Sequence, residues 1–229
     1  GLKTFISEKL PYLRELDTSI IVNILGETAD EYRAIAEALD DAESIDAIEV
    51  NISCPNVSKG GISFGADPDE AFKITSAVKT STRLPVIVKL TPNVTDIVSI
   101  ARAVESAGAD CVSLISTLKG MAIDIENRCP SLCNITGGLS GPAVKPVALR
   151  MVWEVARGVS IPVIGIGGIM NHADALEFLI AGARAVQVGT ANFVNPAVTM
   201  EIISGMERYL DDKGLDAIDN LIGSLRIVK

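Results

Sequence analysis

The chain has 229 residues, 48% of them hydrophobic, which suits one full-sized α/β domain better than two small ones. Its formal net charge of −9 argues against nucleic acid, whose phosphates demand a basic face, and against an anionic membrane surface. No apolar run reaches the ~18 residues of a membrane span. Cysteines 54, 111, 129 and 133 are too few and too dispersed for a disulfide scaffold, so a reduced cytoplasmic setting is expected.

From Gly1 the chain reads as helix, followed by a regular alternation. The β-branched run 19–25 (SIIVNIL) is expected as a strand, with Asn23 near its end, and 28–42 as an amphipathic helix. A second strand, 47–53 (AIEVNIS), carries Glu49, expected to point outward into a salt bridge, and runs into the polar segment 51–56 (NISCPN). After helix 68–82 comes strand 85–90 (PVIVKL), whose one charge is Lys89. Helix 95–107 leads to strand 111–116 (CVSLIS) and then to a non-repeating segment, 118–142, long enough to suggest a functional loop. Helix 144–158, strand 162–167 (PVIGIG), helix 172–181 and strand 185–190 (AVQVGT) follow.

Strands nearly continuous in Val and Ile, alternating with helices, imply a parallel sheet with right-handed crossovers. Polar and Gly residues gather just after each strand, where a TIM (β/α)8 barrel places its active site. At ~30 residues per unit only about six of the eight units are accounted for. The expected arrangement is one barrel domain over residues 1–229, incomplete at its N-terminus.

Several strand ends carry candidate chemistry. Cys54 precedes Pro55 and so is expected on a turn, between two Asn amides able to orient a planar ligand; a buried, inert thiol is the alternative. Gly60-Gly61 with Phe64-Gly65 reads as a mobile lid. Lys89 needs a partner in a buried strand: an anionic cofactor, or a Schiff-base role. Residues 165–168 (GIGG) and 189–190 (GT) form the backbone cradle for a phosphate, and 137–141 (GGLSG) adds a third flexible backbone. Cys111 is expected in the core and His172 as a capping or exposed residue; neither supports a His-based triad. Cys129 and Cys133 lack a second ligand pair, so no metal site is expected.

The segments NISCPN (51–56), VKLTPN (88–93), TGGLSGPAVKP (136–146), GIGG (165–168) and VGTA (188–191) together resemble class 1 dihydroorotate dehydrogenases, and 118–124 (LKGMAID) with 142–151 (PAVKPVALRM) the B subtype. That resemblance implies an FMN-binding barrel that oxidises dihydroorotate to orotate in pyrimidine biosynthesis. It implies Cys54 as the general base removing the C5 proton while hydride passes from C6 to flavin N5. It implies flavin contacts at Asn23, Asn51, Lys89, Ile115, Gly141, Gly167, Gly168, Gly189 and Thr190, and substrate contacts at Asn51, Asn56, Ser116 and Thr117. Ser116 stands where the family usually has Asn. It further implies a homodimer, or a heterotetramer with an iron–sulfur flavoprotein subunit whose FAD and [2Fe–2S] cluster pass electrons to NAD+. Two other readings compete: a phosphate-binding lyase or aldolase using Lys89 as Schiff-base amine, and a truncated barrel serving as a binding module.

Overall fold

The computed structural model describes residues 1–53 and 62–227. A short helical stretch from Leu2 to Leu13 precedes the first strand. Six strands then form one parallel sheet: β1 (Ile21–Ile24), β2 (Ala47–Asn51), β3 (Val86–Lys89), β4 (Cys111–Leu114), β9 (Val163–Ile166) and β10 (Ala185–Gln187), in that spatial order. All six fall inside the β-branched runs of the sequence. Each ends one to three residues before its run does.

The intervening helices are α1 (Ala29–Asp40), α2 (Pro68–Lys79), α3 (Ile97–Ser106), α4 (Lys145–Ala156), α5 (His172–Ala181) and α6 (Val198–Lys213). Their starts are set by local chemistry. Thr28, Asp67, Asp96 and Asn171 each accept hydrogen bonds from backbone N–H groups in the first turn. Such a cap is worth about 1 kcal/mol. Asn171 is thus the cap of α5, and His172 instead packs its ring against Gly205 of α6. Buried positions recur at helical spacing, as in Ile97, Ile100, Ala101 and Val104 of α3.

The sheet has two chemically different faces. Ile48 and Val50 of β2, Val86 and Val88 of β3, and Val112 and Leu114 of β4 are fully buried in the apolar core. Each such side chain contributes about 1.5–3 kcal/mol by burial. The residues between them, including Glu49, Lys89, Ser113 and Gln187, point to the other face by the period-2 rule. There Gln187 Nε2 of β10 donates to Glu49 Oε1 of β2 at 2.9 Å. On a flat sheet those strands would stand about 19 Å apart, at ~4.8 Å per step. Two side chains cannot bridge that gap, so the sheet is curled with its polar face inward. Among the described residues, the edge strands β1 and β10 do not pair with one another.

The stretch expected as a loop after β4 is instead two antiparallel ribbons: β5 (Leu118–Met121) with β8 (Thr136–Leu139), and β6 (Ile123–Asp124) with β7 (Cys129–Pro130). Hairpin pairing satisfies backbone groups that a bare loop of that length would leave to water. Gly60 and Gly61 of the expected lid lie outside the described residues. Phe64 and Gly65 belong to the short helix Ile62–Gly65, where the Phe64 ring meets Tyr32 edge-on at 6.5 Å and Gly65 lies against the Ile52 carbonyl. No helix among the described residues is long and apolar enough to cross a membrane.

Candidate active site

The C-terminal ends of β2, β3, β4, β9 and β10 converge on a cavity of about 400 Å³. Asn51, Lys89, Ile115, Ser116, Thr117, Gly141, Gly167, Gly168, Gly189 and Thr190 all contribute to its wall. Ten of the residues expected at a site are therefore brought together by strand-end geometry. Asn23 stands one step behind the wall, accepting a long hydrogen bond from Asn51 Nδ2 at 3.4 Å. Cys54 and Asn56 lie outside the described residues.

The strand ends are fixed from behind. Tyr32 on α1, fully buried, donates its hydroxyl to the Asn51 carbonyl at 2.7 Å. Asn51 Oδ1 in turn accepts from both the N–H and the hydroxyl of Ser53, at 3.1 and 2.8 Å. On the next unit, Asn93 Nδ2 donates to Thr91 Oγ1 and to the Thr117 carbonyl, while its Oδ1 accepts from Lys119 N–H. This single amide fastens the loop after β3 to the start of β5 at Thr117 and Lys119.

The opposite wall is backbone. Gly168 has φ +75°, and a Cβ there would sit 2.8 Å from Lys145 Cβ and 2.9 Å from the Gly141 carbonyl. Only glycine lets these two turns approach so closely. Thr190 Oγ1 donates to Ser140 Oγ at 2.8 Å, tying the end of β10 to the turn before α4. Lys145 then braces the same region: its Nζ is 2.6 Å from Asp174 and 3.0 Å from Glu177, and Asp174 also accepts from Met170 N–H. Burial pushes the Asp174 carboxyl up, but Lys145 and these backbone bonds outweigh it and hold it below its usual range.

Glu49 corrects the outward placement expected from its sequence. It is 5% exposed and points inward, because its strand neighbours Ile48 and Val50 claim the apolar face. Its carboxylate accepts from Asn23 Nδ2 at 2.6 Å, Ser113 Oγ at 2.7 Å and Gln187 Nε2 at 2.9 Å, and lies 3.6 Å from Lys89 Nζ. Burial alone raises such a group, yet Lys89 and the three hydrogen bonds prevail and the carboxyl is held below its ordinary value. The partner Lys89 requires is therefore a carboxylate of the protein itself. Gln187 and Ser113, polar residues inside otherwise apolar runs, were not expected at the site; their period-2 phase, shared with Lys89 and Asn51, is the signal that finds them.

Cys111 shares this interior. Burial first, then the charges of Glu49 and Asp110, push its thiol up to about 12, so it stays protonated. Cys129 and Cys133 are exposed, and no cluster of metal-ligating side chains occurs among the described residues.

A family model described as dihydroorotate dehydrogenase matches residues 1–210. Among curated relatives, the protein named dihydroorotate dehydrogenase B (NAD(+)), catalytic subunit, from Desulforamulus reducens is 60% identical over 227 residues, covering 99% of this chain and 75% of that relative. The proteins of the same name from Geotalea uraniireducens and Geobacter sulfurreducens are 58% and 57% identical, each with 74% of its length covered. With the match spanning nearly the whole chain, and with the family's motifs gathered round one cavity, the protein belongs to the dihydroorotate dehydrogenase family of oxidoreductases.

Proposed function

We propose that the chain is the catalytic subunit of a B-type dihydroorotate dehydrogenase, oxidising dihydroorotate to orotate in pyrimidine biosynthesis with FMN as its cofactor. The observation that carries this reading is the convergence of five strand ends on one cavity of about 400 Å³, a size suited to a small-molecule site. The curled six-stranded sheet is read as the larger part of an eight-stranded barrel, and residues 1–229 as a single FMN-binding domain.

The residues present fit FMN. Glycine turns at Gly141 and Gly167-Gly168 line the cavity with backbone, Gly168 packed so closely on the turn at Gly141 and Lys145 that a Cβ there would clash, and the Lys89 ammonium has no hydrogen bond among the described residues. In this reading Gly141, Gly167, Gly168, Gly189 and Thr190 hold the phosphate end, and Asn23, Asn51, Lys89 and Ile115 the ring system. FMN, when bound, supplies the acceptor for the hydride leaving C6 of the substrate. Asn51, Asn56, Ser116 and Thr117 hold the substrate. Cys54 takes the C5 proton as thiolate, and the electron pair of that C–H bond becomes the new C5–C6 double bond. A free thiol titrates near pH ~8.5, so Cys54 requires surroundings that lower it, the opposite of those at Cys111. A partner subunit carrying FAD and a [2Fe–2S] cluster would supply the route for electrons to NAD+; the cytoplasmic assembly is a homodimer, or a heterotetramer with that subunit.

The test is anaerobic. Purified protein should show an oxidised-flavin band that dihydroorotate bleaches. Cys54→Ser should keep the band but bleach at least ~100-fold more slowly at neutral pH, since a hydroxyl is a far weaker base. Bleaching at the unsubstituted rate would reject Cys54 as the base. No flavin band, with borohydride trapping of a carbonyl substrate on Lys89, would replace the whole reading by the lyase alternative.

A further inference from the structure

Lys89 and Glu49 form an ion pair of unusual construction. The carboxylate is held from three strands, β1, β4 and β10, through Asn23, Ser113 and Gln187. Its Lys89 contact, at 3.6 Å, is too long for a hydrogen bond. A carboxylate fixed by three donors is held back from the ammonium, and the ammonium lines the cavity without a hydrogen bond among the described residues. Lys145 is the counter-example in the same molecule, its donors spent on Asp174 and Glu177 at 2.6 and 3.0 Å.

We propose that Glu49 is a positioning residue for the cavity: locked by Asn23, Ser113 and Gln187, it offsets the charge of Lys89 without drawing away its hydrogen-bond donors. It thereby sets how much positive charge the protein presents to a bound ring. This rests on the flavin reading of the cavity and goes beyond it, because Glu49 is not part of the cavity wall. With Glu49 ionised, the pair brings no net charge to the cavity. Without it, Lys89 stands alone in a low-dielectric interior and favours whichever bound state carries more negative charge. Reduction adds electrons to the ring, so that state is the reduced one.

The experiment is a redox-dye equilibrium on the flavin-loaded protein, reading the ratio of reduced to oxidised flavin at fixed dye poise. Glu49→Gln should raise that ratio about tenfold, the order expected for one charge roughly 12 Å away at an effective dielectric near 20. Lys89→Met should lower it by a similar factor. The double variant should return to within about threefold of the unsubstituted protein, since it removes the pair as a neutral unit. It also leaves no lone buried charge, which keeps the test usable where a single variant folds poorly. A merely structural Glu49 predicts otherwise: weaker flavin retention in both single variants, and a double variant no better than either. A ratio unchanged by Glu49→Gln, or shifted in the same direction as by Lys89→Met, would overturn the proposal while leaving the flavin reading intact. Unsubstituted protein that binds no flavin would overturn both.

Discussion

Two lysines divide the work of this molecule. Lys89 and Lys145 are almost equally buried, with side chains 21% and 25% exposed, and each faces acidic groups. Burial and charge therefore do not distinguish them. What does is the spending of hydrogen-bond donors. Lys145 gives two to carboxylates and through Asp174 braces the turn that follows β9. Lys89 meets a carboxylate already held in place by three other donors, and it lines the cavity without a hydrogen bond among the described residues. A lysine left free because its counter-charge is pinned by others is available to a ligand; one that does the pinning is a strut.

The sharpest way to break this contrast is at Gly168, whose missing Cβ lets the cradle rest on Lys145. Gly168→Ala should cost about 3 kcal/mol of unfolding free energy and weaken flavin retention, through a positive φ and a contact with Lys145 Cβ. Urea unfolding measures it, and a loss under about 0.5 kcal/mol would show that cradle and strut are not rigidly joined. Next comes Lys145→Met, expected to cost about 1–2 kcal/mol near neutral pH. Asp174 has a depressed folded pKa, so its contribution is present above the unfolded value of ~3.9 and lost as pH falls through the folded one. Lys145 is raised by its bond to Asp174, so its share is full below ~10.4 and lost as pH climbs through the folded value. The variant should accordingly lose stability between those limits, and its acid unfolding midpoint should move to higher pH. Its reduced-to-oxidised flavin ratio should stay within about twofold, because Lys145 lies outside the cavity wall and, unlike the buried Glu49, is a quarter exposed, where solvent and salt screen its charge. A large shift in that ratio would erase the distinction between the two lysines.

The smallest effect is at Cys111, a reporter of the Glu49 charge. At pH 8 iodoacetamide should modify the exposed Cys129 and Cys133 and leave Cys111 untouched, its thiol being at about 12. Glu49→Gln should speed Cys111 modification only a few-fold, since burial is the larger cause and the carboxylate the second. A fast Cys111 in unsubstituted protein would mean the interior is wetter than the ion pair requires.

Much of this was legible beforehand. Val and Ile runs punctuated by Gly, Pro and capping residues mark strands and helices because sterics and hydrogen bonding act locally. The same locality put Lys89, Ser116, Gly168 and Thr190 at strand ends. The direction of Glu49 was not legible, since a run such as AIEVNIS is apolar on both sides of its charge and does not reveal which face meets helices. Gln187 was missed for a related reason: its partner is 138 residues away, and curvature alone brings them together. The ribbons after β4 escaped because LKGM and TGGL carry few β-branched residues, so their pairing comes from hairpin closure rather than from propensity. Cys54 and Asn56 rest on family motifs alone.

That span of 138 residues also has a meaning in time. A ribosome adds about 5–20 residues per second, so Gln187 follows Glu49 into existence by roughly 7–28 s. Throughout that interval the carboxylate can meet only its earlier neighbours, Asn23 behind it and Lys89 and Ser113 soon after, and Lys89 is free to approach it closely. Of these partners β10 is made last, and it supplies the third donor. The standoff between Glu49 and Lys89 is thus completed only once β10 has joined the sheet.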